Sequence, residues 1–165
     1  MIRKLTRLFI CFIVLLTGCV QKPKEIQTVR MLISGGHGHR PCIIEVFPDG
    51  LIEATTGGKA PGSSFYGVLN NEDWFGEDRK QKSRKLSKAN REVVDNLITE
   101  VKKNCIPIDE YDPSMDDAST VNAVIDGVTY FCFYENDTIP YYNENDDLRK
   151  LAHKLVEISR VKLTQ

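Results

Sequence analysis

Two hydrophobic periods alternate along the chain. In QTVRMLIS (27–34), Val29, Met31 and Ile33 recur at every second position, the period of a strand. In CIIEVFPDGLIEATT (42–56), two apolar runs flank Pro48-Asp49-Gly50. Proline presets the backbone angle of a turn and glycine accepts positive φ, so 42–47 and 51–55 are predicted to pair as an antiparallel hairpin. In VNAVIDGVTYFCFYE (121–135), Asp126-Gly127 is the two-residue signal of a type I′ turn. That turn would set Ala123 opposite Tyr130 and Val121 opposite Cys132. Val121, Ala123, Ile125, Val128, Tyr130 and Cys132 would then share one face.

The period lengthens in two other places. After Ser87, a good N-cap, Ala89, Val93, Val94, Leu97, Ile98 and Val101 form a stripe that predicts a helix ending near Asn104, ahead of Pro107. In NENDDLRKLAHKLVEISRVK (143–162), polar caps and early acids precede Leu148, Leu151, Ala152, Leu155 and Ile158, and basic residues close the segment as a helix dipole favours. Residues 57–80 are harder to place, being rich in Gly, Ser and Asn yet holding Phe65, Tyr66, Trp74 and Phe75. A loop of that length is uncommon inside a domain, so a short edge strand is expected within 66–69 or 79–85. The order strand, hairpin, helix, hairpin, helix predicts an α+β fold: an antiparallel sheet of four to five strands with both helices on one face.

The N-terminus adds a destination. Arg3, Lys4 and Arg7 precede the uncharged run Leu8–Leu16, which falls short of the about 20 apolar residues that span a bilayer and suits a signal-peptide core. Leu16-Thr17-Gly18-Cys19 resembles the bacterial lipobox, in which a small residue precedes a cysteine that is acylated and becomes the new N-terminus. Several acyl chains hold a protein firmly where one would not. The expected organisation is a signal peptide over 1–18, a lipidated Cys19 with a tether over 19–26, and one domain over 27–163. No aspartate follows Cys19, unlike the usual inner-membrane retention signal, so the expected location is the outer membrane; no acidic run that would argue for export to the cell surface follows either, and a periplasm-facing anchor is expected.

Charge and cysteine usage narrow the function classes. The chain of 165 residues holds 22 basic and 23 acidic residues, and the signal peptide would remove Arg3, Lys4 and Arg7 from the basic total. A mildly acidic mature domain gives no reason to expect nucleic acid. Of five cysteines, Cys11 would leave and Cys19 would be acylated, so Cys42, Cys105 and Cys132 remain. An odd number allows at most one disulfide.

The layout also resembles an uncharacterised domain of bacterial envelope lipoproteins. Its members place Cys-x-Gly-x-Cys-Pro before a strand, then Asp-Gly, a helix opened by Leu-Ser or Leu-Thr, a hairpin and a last helix. The matching pieces are Gly38 and Pro41, Asp49-Gly50, Leu86-Ser87, the 121–135 hairpin and the terminal helix. Gly36 and Arg40 stand at the two cysteine positions, so no redox role follows from the resemblance, and it implies no established activity.

Candidate chemistry is sparse. His37 and His39 lie in SGGHGHRPC with Cys42 close by, but a zinc site needs three or four oriented ligands, and a strand connection is the better reading. The same glycines lack the lysine and hydroxyl of a phosphate loop. Cys105 and Cys132 read as small buried hydrophobes, and His153 as a residue at the border of an apolar stripe. Asp109, Glu110, Asp112, Asp116 and Asp117 lack the pattern of a calcium loop. No cofactor motif is present. The clearest chemical signal is a cationic run with no acid inside it: Arg79, Lys80, Lys82, Arg84, Lys85, Lys88 and Arg91. Lys88 and Arg91 would oppose the dipole of the first helix, which invites an anion, and near a membrane each cation gains about 1 kcal/mol from anionic lipid.

The function expected from these residues is that of a non-enzymatic, lipid-anchored envelope module binding an envelope protein, a cell-wall component or anionic lipid. The alternatives are an immunity- or inhibitor-type lipoprotein, whose mark would be a protruding aromatic loop at 65–75, and a small metal-dependent hydrolase built on His37 and His39.

Overall fold

A computed structural model describes residues 28–34, 40–58, 60, 75–108, 119–134 and 145–163. Both Asp-Gly turns form. Asp126 and Gly127 take φ of 48° and 82°, the left-handed pair of a type I′ turn. In the other turn Gly50 takes φ of 83°, and the Asp49 carboxylate accepts the Leu51 N–H at 2.8 Å. The first turn joins β5 (Thr120–Ile125) to β6 (Val128–Phe133), and the second joins β2 (Cys42–Val46) to β3 (Leu51–Thr56). β1 (Val29–Ser34) lies between the hairpins, pairing antiparallel with β2 on one side and β5 on the other. β4 (Lys80–Lys85) adds to β3, giving one antiparallel sheet of six strands in the order β4-β3-β2-β1-β5-β6. The sheet is thus one strand larger than the four to five expected.

Two helices complete the α+β fold, α1 (Lys88–Asn104) and α2 (Asp146–Ser159). Ser87 caps α1, its hydroxyl accepting the Asn90 N–H at 3.2 Å. Both helices join the same apolar cluster as Val29, Met31, Ile33, Ile44, Ile52, Val121, Ala123 and Ile125, so both cover one face of the sheet. Neither is long and apolar enough to cross a membrane. Alternation predicts the inward positions of β1, β2 and β5 because a side chain two residues on returns to the same face. The cross-strand partners Ala123–Tyr130 and Val121–Cys132 are those expected.

Three details differ from the sequence reading. Ala89 and Val93 are exposed, and α1 buries only Val94, Ile98 and Val101. The buried stripe is thus narrower than the apolar count. Val128 is 40% exposed at the tip of its hairpin, beside the turn residue Asp126 that pairs with Lys102 of α1 at 2.8 Å. α2 has no basic residue in its last turn; Arg160 is instead its C-cap, in the left-handed conformation at φ 53°.

Asn145 has a structural role that its place in a polar run conceals. Its side chain makes no cap bond to α2. It accepts the Ile106 N–H at 2.8 Å and donates to the Ile106 and Phe131 carbonyls at 3.1 and 2.7 Å, tying the exit of α1 to the outer edge of β6. On the face away from the helices, Leu32, Ile43 and Phe75 form a small second cluster, beside an Arg30–Glu45 ion pair at 2.5 Å. Phe75 is 6% exposed, so this member of the expected aromatic protrusion is a core residue. Phe65, Tyr66 and Trp74 lie outside the described residues, as does Cys19.

Candidate functional site: the cationic edge of the sheet

Nothing in KQKSRK favours a strand by hydrophobic pattern, so β4 is a strand through its partner. Its register with β3 runs from Leu51 opposite Lys85 to Thr56 opposite Lys80. Both ends are fastened. At the start, the Gly58 N–H is held by both oxygens of Asp78, at 3.0 and 3.1 Å, and Gly57 is packed so closely that a Cβ would sit 3.0 Å from the Arg79 Cα. At the other end, the Leu86 N–H donates to the Gly50 carbonyl at 2.9 Å.

Pairing with Ile52, Ala54 and Thr56 puts Arg84, Lys82 and Lys80 on the helix side of the sheet. There they meet the end of α2. The Lys82 ammonium donates to the Arg160 carbonyl at 3.1 Å, and the Arg84 guanidinium to the Ile158 carbonyl at 2.7 Å. A helix leaves its last carbonyls unpaired and its C-terminus partly negative. The cations that α2 lacks in its own last turn are therefore supplied by β4. Between the two elements lies a cleft of about 320 Å³ lined by Ile52, Lys82, Ser83, Arg84, Ser159 and Arg160.

The rest of the cationic run divides between internal bonds and open surface. Lys85 pairs with Asp49, whose carboxyl is held below its usual range by that bond and by the Leu51 N–H. Arg91 donates to the Pro48 carbonyl at 2.5 Å and lies 3.7 Å from Asp95, which offsets its unfavourable place in the first turn of α1. Lys80 and Lys88 are exposed and carry no partner among the described residues. The cationic run is thus not a uniformly solvated face. Arg84 is only half-exposed and is bonded to the fold.

This arrangement predicts opposite effects for two reversals of charge. Arg84→Glu removes a charged hydrogen bond and sets a carboxylate against the negative end of α2, at an expected cost of about 2–3 kcal/mol. Lys88→Glu puts an acid in the first turn of α1 and is expected to be neutral or stabilising by a few tenths of a kcal/mol. Urea unfolding of the two variants checks both signs.

The other candidates fall elsewhere. Cys42 is fully buried among the helix-side residues, and burial pushes its thiol up to about 12. Burial likewise pushes Cys132 up to about 12 and raises Cys105. Protonated thiols are poor nucleophiles and metal ligands. His153 is exposed and its ring stacks on Tyr134 at 4.4 Å between centroids. His37, His39 and the acidic stretch 109–117 lie outside the described residues; within those described, no three His, Cys, Asp or Glu side chains converge as a metal site would need. Sequence reasoning missed Ile52, Ser159 and Arg160 as cleft residues. The one signal available was that Arg160 follows an amphipathic helix. Compared with known protein families, with curated proteins and with solved structures, the chain has no significant match in any of the three.

Proposed function

We propose that this protein is a non-enzymatic binding module of the bacterial envelope, anchored to the outer membrane through acylated Cys19, that docks an anionic partner on the edge formed by β4. The observation that carries the docking surface is an exposed edge strand holding Lys80, Lys82, Arg84 and Lys85 within six residues, beside a cation-lined cleft. The lipobox-like Leu16-Thr17-Gly18-Cys19 and the resemblance of layout to envelope lipoproteins support the anchor. An acidic protein with one cationic edge attracts anions locally while its net charge keeps it off other anionic surfaces.

The two halves of the proposal are tested separately. Cys19→Ala is expected to abolish fatty-acid labelling and to release the protein from the membrane fraction; a labelled, membrane-bound variant would refute the anchor. For the docking edge, the Cys19→Ala protein should be retained on a carboxylate resin at neutral pH although its sequence pI is about 6.3. Retention should fade with salt as the Debye length shrinks from about 10 Å at 0.1 M to about 3 Å at 1 M. Lys80→Glu with Lys88→Glu should lower the salt needed for elution without unfolding the protein. Absence of retention at low salt would refute the edge as an anion-docking surface.

A further inference from the structure

The two edges of the sheet are finished differently. The outer edge of β6 is covered: Pro107 bridges to Tyr130, the Ile108 N–H donates to the Thr129 carbonyl at 3.0 Å, and Asn145 takes the Phe131 carbonyl. Among the described residues, the outer edge of β4 has no neighbouring strand, and all of its residues but Arg84 are exposed.

The backbone of β4 is phased for pairing. The bond from the Leu86 N–H to the Gly50 carbonyl makes Gly50 and Leu86 a hydrogen-bonded pair. In an antiparallel ladder such pairs recur at every second residue. The continuous register therefore makes Arg84, Lys82 and Lys80 the residues that bond to β3. Gln81, Ser83 and Lys85 direct their N–H and C=O groups outward, and no main-chain bond engages them there among the described residues. These groups form a regular template about the length of a short strand.

Side chains decide what the template accepts. On the helix side an incoming strand meets Lys80, Lys82 and Arg84, at the roughly 5 Å spacing of cross-strand neighbours. A second copy pairing through the same edge would set cations against cations, and an apolar strand would leave them facing hydrocarbon. Carboxylates at alternate positions meet all three. Lys82 and Arg84 are already held in place by the α2 carbonyls, with further N–H donors to spare, so little side-chain freedom remains to be lost. The cleft beside them, which Arg160 also lines, has room for one such carboxylate. The other side is less cationic, because Lys85 is paired with Asp49 and Gln81 donates to Glu53.

We propose that β4 takes up an extended acidic segment of a partner protein as a seventh strand, bonded through the backbones of Gln81, Ser83 and Lys85, with alternate carboxylates facing Lys80, Lys82 and Arg84. The inference deepens the docking reading above and rests on it only for the sign of the charge.

The probe is an eight-residue peptide of alternating glutamate and threonine, offered to the Cys19→Ala protein. Binding should slow amide exchange at Gln81, Ser83 and Lys85, whose outward amides are expected to exchange fast in the free protein, and should change Lys80, Lys82 and Arg84 little. N-methylation of every second peptide amide should weaken binding roughly tenfold or more in one phase and leave it unchanged in the other. Ser83→Pro removes an outward N–H at an edge position where proline is tolerated. It should abolish peptide binding while retention on the carboxylate resin persists. Equal affinity for both N-methylated series, or binding without protection of the three outward amides, would overturn strand addition and leave attraction by charge alone. Binding to anionic vesicles with none to the peptide would likewise overturn it, in favour of a lipid surface. Loss of both peptide binding and resin retention in the unaltered protein would instead count against the docking edge itself.

Discussion

Leu155→Ala is expected to lower the unfolding free energy by about 2–5 kcal/mol, the range seen when a buried leucine is truncated and its cavity only partly collapses. Leu155 is fully buried in the cluster shared by both helices and the helix side of the sheet. α2 packs against α1 and touches β3, β4, β5 and β6, so few neighbours are free to move into the space. The effect should extend to the docking edge, because the carbonyls that hold Lys82 and Arg84 belong to the last residues of the same helix and its cap. Val93→Ala supplies the control. Val93 is 41% exposed on the outer side of α1, and its truncation should stay within about 0.5 kcal/mol. Urea unfolding of both variants gives the comparison; similar losses in the two would show that Leu155 contributes no more to the core than an exposed valine.

The elements legible in the sequence are those whose fate is settled locally or by a strict period. Pro48-Asp49-Gly50 and Asp126-Gly127 require left-handed backbone, which few other residues accept, so both hairpins and their registers could be read directly. Leu148, Leu151, Ala152, Leu155 and Ile158 all turn inward because α2 lies along the sheet for its whole length. Ala89 and Val93 do not, since a stripe records apolar residues and not the extent of the surface that receives them. β4 shows the opposite limit. Its lysines carry no apolar alternation, so its strand character comes from β3, and the sequence could only offer 79–85 as one of two places for an edge.

The candidate site was half legible for the same reason. The cationic run stands out in the sequence, but its division of labour depends on a contact between residues about 75 positions apart. That contact turns Lys82 and Arg84 from free surface charges into fixed ones, and leaves Lys80 and Lys88 as the open cations. Asn145 was equally hidden: in a run of Asn, Glu and Asp nothing distinguishes the one amide whose oxygen and nitrogen both meet backbone.

The stability of the protein is expected to fall steeply above about pH 9, and the buried thiols of Cys42 and Cys132 should account for much of the fall. Both are pushed from an ordinary 9.0 up to about 12 by loss of water around the thiolate. In the unfolded chain each thiol gives up its proton near pH 9, whereas in the folded protein it keeps it to about 12. Between those limits the folded state binds more protons than the unfolded one, so stability decreases as pH rises. The stabilisation is complete below about pH 9 and is lost progressively towards pH 12, at up to about 1.4 kcal/mol per pH unit for each thiol. Tyrosines and lysines titrate in the same range, so the test is a difference. Urea unfolding from pH 8 to 10.5 should show a steeper decline for the unaltered protein than for Cys42→Ala with Cys132→Ala, whose stability starts lower but varies less. Parallel curves would mean that these thiols ionise alike in the folded and unfolded chains, which the depth of their burial in the helix-side core argues against.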